Sequence, residues 1–260
     1  MGNKMFRAYD ILGNIAIVKF SEEVKLKSKI IQAKKILNSN KSIKTVVEKT
    51  GKFKGRLRLM ETKHLVGEKT KEVLYKENNC NFRFNLDTTY FSSRLSNERK
   101  EIAGKIKKND KVLVMFAGVG PFSIVIAKNS GANVISNEIN RKANNYGKIN
   151  INLNNLKQKI EIVSGDVKKL PEKLKQKFDV IVMPRPQLKD SFLQTTFKLS
   201  KKGTKIYYYD FCKQDEIGQI IEKIKLEAKK AKKKIRILNQ KIAGEVGPYR
   251  VRCRIDFIVG

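Results

Sequence analysis

Gly118 and Gly120 stand in the run Gly118-Val119-Gly120-Pro121-Phe122-Ser123, a GxGxxG pattern with serine in the third glycine place. An apolar stretch, 111–116, precedes it, and a helix-like stretch, 121–130, follows. Glycines at such a junction take positive φ and let a nucleotide-like ligand approach the backbone, while the helix N-terminus offers free N–H groups. A turn that merely joins strand to helix is the competing reading. Glu138 lies 20 residues after Gly118, at the end of the next apolar run. A carboxylate there accepts both hydroxyls of a ribose. Asp166, in Ser164-Gly165-Asp166 after a third run, is the natural acceptor for an adenine amino group. Each acid also has a plainer reading as a helix cap.

The elements that must hold these residues alternate. Strands are predicted at 111–116, 132–138, 159–166, 178–183 and 203–211, and helices at 121–130, 140–155, 188–200 and 215–233. Pro121 suits a first helical turn. This order predicts a parallel sheet covered on both faces. Two final strands, 234–240 and 249–259, have no helix between them and must pair as a hairpin. A dinucleotide-binding sheet adds a helix and a parallel strand there instead. The fold class is therefore α/β, a class I S-adenosylmethionine-dependent methyltransferase with a seven-stranded Rossmann-like sheet ending in a β-hairpin. Glu138 and Asp166 on successive strand ends suit the same cofactor.

Before residue 88 the texture differs. The stretch 9–20 reads as two strands turned at Gly13-Asn14, 24–40 as a helix with a basic face, and 44–86 as short strands broken by Gly and Asn. A small α/β domain, 1–87, thus precedes a domain over 88–260.

Of 260 residues, 40% are hydrophobic, enough for a core. No run approaches the roughly 20 apolar residues of a membrane span, and the first ten residues lack a secretory pattern. Gly2 is not followed by the Ser or Thr at position 6 that myristoylation requires, since Phe6 stands there. Cys80, Cys212 and Cys253 are too scattered for a disulfide framework or a zinc site, and a single histidine, His64, excludes a multi-histidine metal centre. No metal is expected, and a cytoplasmic location is. Fifty-seven basic residues against 25 acidic ones give a net charge of +32, which calls for a polyanion, nucleic acid above a membrane surface. A lysine-rich genome-wide composition is the competing explanation. Tyr207 to Tyr209 read as a strand with one face buried, and 229–236 as a solvated basic helix face.

The stretches 67–82, 90–99 (YFSSRLSNER), 115–124 (MFAGVGPFSI) and 247–257 together resemble the archaeal and eukaryotic tRNA (guanine-37-N1)-methyltransferases. The resemblance covers nearly the whole chain. It implies a methyl-transfer domain behind a small tRNA-binding domain, S-adenosyl-L-methionine as cofactor, and the anticodon stem-loop at position 37 as substrate. A monomer is expected. Larger relatives carry a further N-terminal domain that grips the tRNA outer corner, and this chain begins too late to contain all of it. The family's Asp two residues before the motif Phe is Val114 here, and its Asn-Leu-Pro is Pro184-Arg185-Pro186. The second change resembles an archaeal branch that also methylates a tricyclic wyosine precursor at the same nucleotide.

Guanine N1 bears a hydrogen, so attack on a sulfonium methyl requires its removal, and charge then develops on O6. The resemblance makes Glu98 and Arg99 the candidates for these tasks; a surface ion pair is the alternative. Pro184 lies beside the methyl group, where a proline supplies no side-chain acceptor. The expected cofactor set is Phe91, Ser92, Arg99, Phe116, Gly118, Gly120, Glu138, Ile139, Asp166 and Val167. Tyr90, Phe91 and Phe116 also suit stacking on an extruded base. Two rival functions stand beside this one: an RNA-binding protein with a catalytically dead methyltransferase fold, and a nicotinamide-dependent oxidoreductase.

Overall fold

A computed structural model describes residues 9–51 and 55–260. The N-terminal signal and Phe6 readings, and part of the strand-rich stretch at 52–54, lie outside the described residues. The chain divides into two compact units, Met1–Ser93 and Arg94–Gly260.

The first unit carries β1 (Asp10–Leu12), β2 (Ile15–Val18), α1 (Leu26–Ser39), β3 (Thr45–Lys49), β4 (Thr62–Gly67), β5 (Glu72–Glu77) and β6 (Cys80–Asn85). β1 to β4 form one sheet in sequence order, and β5 and β6 pair as a separate ribbon. β2 and β3 run parallel across the α1 crossover, as a βαβ unit requires. α1 turns Ala33 and Ile36 onto Ala16, Val18, Val46 and Val66. The division falls after Ser93, not at 87/88. Asp87 is bound to Thr62 and Lys71, and Phe91 stacks on Phe84 (4.6 Å between centroids) and meets Tyr75 edge-on at 5.1 Å. Aromatic packing therefore holds 88–93 to the first unit.

The second unit contains α2 (Ser96–Gly104), β7 (Lys111–Val114), α3 (Pro121–Ser130), β8 (Asn133–Glu138), α4 (Arg141–Leu153), β9 (Ile160–Ser164), α5 (Leu170–Lys173), β10 (Phe178–Met183), α6 (Leu193–Leu199), β11 (Ser200–Lys213), α7 (Ile217–Lys230), β12 (Ile235–Gly247) and β13 (Arg250–Val259). The strand order is β12-β13-β11-β10-β7-β8-β9. β7 to β11 are parallel, whereas β13 runs antiparallel to both β11 and β12. The terminal hairpin is thus present, with its last strand inserted inside the sheet. The sheet winds outward from β7 to β9 and then returns to β10 on the other side of β7. The crevice at the carboxyl ends of β7 and β10 is the switch point where ligands bind in such sheets.

α3 begins at Pro121, ends at left-handed Gly131, and is buried from Pro121 to Ala127, as a helix apolar all round should be. Tyr207, Tyr208 and Tyr209 are all buried. β11 is an interior strand covered on both faces, which corrects the one-face reading. The helix expected over 188–200 starts only at Leu193. Arg185 takes the carbonyls of Leu188 and Asp190 (2.6 and 2.7 Å), and Phe192 turns to φ +59°. No helix among the described residues is long and apolar enough to cross a membrane.

Candidate active site

Three strand ends build the site. After β7 the backbone takes positive φ at Phe116 (+57°), Gly118 (+59°) and Gly120 (+89°). For a bulky residue such as Phe116 this is a conformational outlier of the kind that clusters at ligand sites. A Cβ on Gly120 would come within 3.2 Å of Ile124, so the turn tolerates glycine best. Buried Asn150, on α4, donates to the Val119 carbonyl from behind (3.0 Å).

Glu138 ends β8. One carboxylate oxygen accepts from the Gly118 N–H (2.8 Å), the other from the N–H groups of Ile139 and Asn140 (2.8 Å each). It is therefore a cap, as the plainer reading had it, and also a clasp that fixes the glycine turn against the neighbouring strand. Asp166 accepts from the Lys168 N–H at 3.0 Å and caps the short turn after β9. Sequence reasoning passed over Asn137 and Gly165. Asn137 donates to the carbonyls of Val163 and Gly165 (2.8 and 3.0 Å), and Gly165 holds φ +121°, open to glycine alone. The clue was the glycine before Asp166. Open backbone beside two carboxylates on adjacent strand ends fits an adenosyl group: diol to Glu138, base near Asp166, sulfonium toward the β7–β10 crevice. Ile139 is exposed beside Glu138, and Val167 lies in the core cluster with Leu113, Met115 and Met183. Phe116 meets Phe192 edge-on at 5.0 Å. Phe91 and Ser92 fall in the first unit, with Phe91 in its aromatic cluster.

Pro184 follows β10. The Arg185 N–H bonds back to the Met183 carbonyl (2.7 Å), a tight turn with Pro184 at its tip. The Arg185 side chain points inward, only 2% exposed, and pairs with Asp210. Asp210 also accepts from Tyr208 (2.9 Å). The loop's middle residue is an internal anchor, so the two prolines, both half-buried, are held on a stiff support.

Glu98 and Arg99, on α2, are both buried, so the surface ion-pair reading is overturned. They face different ways. The Arg99 guanidinium lies 5.8 Å from the Phe122 ring at the start of α3. Glu98 sits in a cage: it accepts from Arg254 (2.6 Å), from the Tyr209 hydroxyl (2.9 Å), and pairs with Lys241 (2.8 Å). Arg254, wholly buried, also reaches Glu101 and Asp256 (2.6 and 2.7 Å). Burial, with the Glu98 charge, pushes the Tyr209 hydroxyl far above its ordinary range, keeping it a donor.

Arg254 above all, with Lys105 and Lys241, holds the Glu101 carboxyl far below its ordinary 4.5. A depressed folded-state value stabilises fully above about pH 4.5 and the gain is lost as pH falls through the lower, folded value. Glu101→Gln should therefore melt below wild type at pH 7, and the gap should narrow as pH is lowered from 5 to 3. Melting curves across that range check it; a pH-independent gap would show the loss to be steric.

The TRM5/TYW2 methyltransferase domain profile matches residues 73–238, and the TYW2 N-terminal domain profile matches residues 1–70. The chain is 34% identical to the tRNA (guanine(37)-N(1))/4-demethylwyosine(37)-methyltransferase Taw22 of Nanoarchaeum equitans, over 96% of this chain and 98% of that one. The crystal structure of wild-type Trm5b from Pyrococcus abyssi superposes with a TM-score of 0.86 at 31% identity, covering 98% of this chain and 75% of that one. A complex of aTrm5 with tRNALeu superposes with a TM-score of 0.84 at 29% identity, covering 98% and 73%. With the glycine turn, the two strand-end carboxylates and the inserted final strand in place, the chain belongs to the TRM5/TYW2 methyltransferase family.

Proposed function

We propose that this protein transfers a methyl group from S-adenosyl-L-methionine to N1 of guanosine 37 in tRNA, and also to a carbon of the tricyclic demethylwyosine base at that position. The carrying observation is the Glu138–Gly118 clasp at the sheet's switch point, in a chain aligned end to end with a relative named for both reactions. The net charge of +32 suits a tRNA substrate, bound by the first unit and the surface lysines. Cys80, Cys212 and Cys253 are buried and form no disulfide among the described residues, which favours a reducing compartment, the cytoplasm, where the enzyme acts as a monomer.

When bound, the cofactor supplies an electrophilic methyl group. Glu138 orients it through the ribose, with Asp166 and the backbone of Ile139 and Val167 at the adenine. Gly118 and Gly120 give it room, and Phe116 walls the crevice. Glu98 is the group proposed to take the N1 proton. Arg254, Lys241 and the Tyr209 hydroxyl hold its carboxylate in place. Charge stabilisation at O6, the task proposed for Arg99, assists the removal. Both act from the floor of the site, since they are 5% and 1% exposed. At the rim the Pro184 carbonyl is the acceptor, the Met183 carbonyl being engaged by the Arg185 N–H.

Methyl incorporation into tRNA transcripts bearing G37 or A37, followed by nucleoside mass spectrometry, tests this reading. Incorporation confined to G37 supports it; none leaves an RNA-binding protein with a silent methyltransferase fold. Pro184→Asn restores a side chain that engages the N–H edge of guanine. It should shift the ratio of N1-methylguanosine to methylated wyosine base by roughly tenfold toward the former, with cofactor affinity unchanged. A fixed ratio would remove Pro184 as the source of tolerance.

A further inference from the structure

A cleft of about 510 Å³ opens at the tip of the closing hairpin, lined by Arg94, Gln214, Glu245 and the turn residues 246–251. It lies on the carboxyl edge of the sheet, at the end of β11, on the opposite side of β10 from Glu138 and Asp166. The turn carries an anomaly. Gly247 pairs with Arg250, enclosing Pro248 and Tyr249, and Tyr249 has φ +56°. In a Pro-X turn the left-handed second position favours Gly or Asn. A tyrosine there is strained, and because the residue is 90% exposed, no burial offsets the strain.

The surroundings say what the ring meets. Tyr249, Arg94, Arg250 and Glu245 have no side-chain hydrogen bond, ion pair or ring partner among the described residues. Two unpaired guanidinium groups beside a presented aromatic face are the elements of a nucleotide site: the ring stacks on a base and the cations take the flanking phosphates. Glu245 repels phosphate and accepts from a base amino or ring N–H, which restricts the backbone to the two arginines. We infer that this cleft is a second nucleotide subsite, which holds a base flanking the methylated one after the loop is splayed. This inference rests on the tRNA reading above.

The test uses the full chain and G37 transcripts, intact or with the base removed at position 36 or at 38. Tyr249→Phe keeps the stacking face and should retain wild-type kcat/KM for tRNA. Tyr249→Gly should lose about tenfold, the low end of a lost base stack, with cofactor affinity unchanged. It should also melt no lower than wild type, because glycine relieves the left-handed position, so misfolding cannot account for the loss. Removing the base at one of the two flanks should cost wild type a similar factor and cost Tyr249→Gly nothing further. Equal transfer by wild type and Tyr249→Gly, or independent, multiplying losses at both flanks, would overturn the subsite while leaving the methyltransferase reading intact. Should wild type methylate no tRNA, that reading falls first. The subsite is then judged by tRNA binding in fluorescence anisotropy, where equal affinities of wild type and Tyr249→Gly overturn it and a weaker Tyr249→Gly supports it.

Discussion

Glu138→Ala is expected to weaken S-adenosylmethionine binding by about 2 to 3 kcal/mol, a roughly 30- to 150-fold rise in Kd. Two effects combine. The ribose hydroxyls lose a charged acceptor, and the N–H groups of Gly118, Ile139 and Asn140 lose the oxygens that now fix them. The glycine turn then loosens before any ligand arrives. Glu138→Gln separates the two. The amide keeps one oxygen acceptor but its NH2 faces a backbone donor, so affinity should fall while thermal stability drops less than in the alanine variant. Calorimetry with the cofactor and melting of both variants give the answer. Unchanged cofactor affinity in Glu138→Ala would remove this edge of the sheet as the binding site.

The second large effect is on stability. Arg254→Met leaves Glu98 and Asp256 buried beside an apolar side chain, with Lys241 and Lys105 as the remaining cations. Breaking a buried pair from one side costs about 3–5 kcal/mol, because the orphaned charge is the expensive part. For a domain of this size that is a fall in melting temperature of roughly 10 °C. Adding Glu98→Gln and Glu101→Gln should recover part of the loss. A melting temperature within a degree or two of wild type, measured by circular dichroism at pH 7, would mean that the cage contributes little.

The glycine turn, α3 and the strand ends at Glu138 and Asp166 were legible because their signals are local: glycine at a strand–helix junction, proline at a first helical turn, acids at fixed offsets from apolar runs. The buried surroundings of α2 and of the loop after β10 were not. Glu98 meets Arg254 across 156 positions of chain, and nothing in the sequence of α2 distinguishes a buried glutamate from a solvated one. The same holds for Arg185. Between two prolines it reads as a surface cation, yet Asp210 draws it inward and its hold on Leu188 and Asp190 shortens α6. Tyr207 to Tyr209 misled for a related reason. Periodicity shows that a strand has a buried face, but whether both faces are covered depends on its place in the sheet.

The insertion of β13 between β11 and β12 has a consequence for how the molecule comes into being. A ribosome releases β7 to β10 first, and these strands pair with neighbours already made, so this half of the sheet can assemble as it emerges. β12 must wait, because its only partner in the sheet is the strand synthesised after it. Until then the acids of α2 remain hydrated, and Arg254 enters its cage only when the final strand slots home. Such late, long-range pairing is slow and leaves an open strand edge in the interim. The nascent protein therefore completes the glycine turn and its two strand-end carboxylates before it completes the buried charge cage, which waits for the final strand.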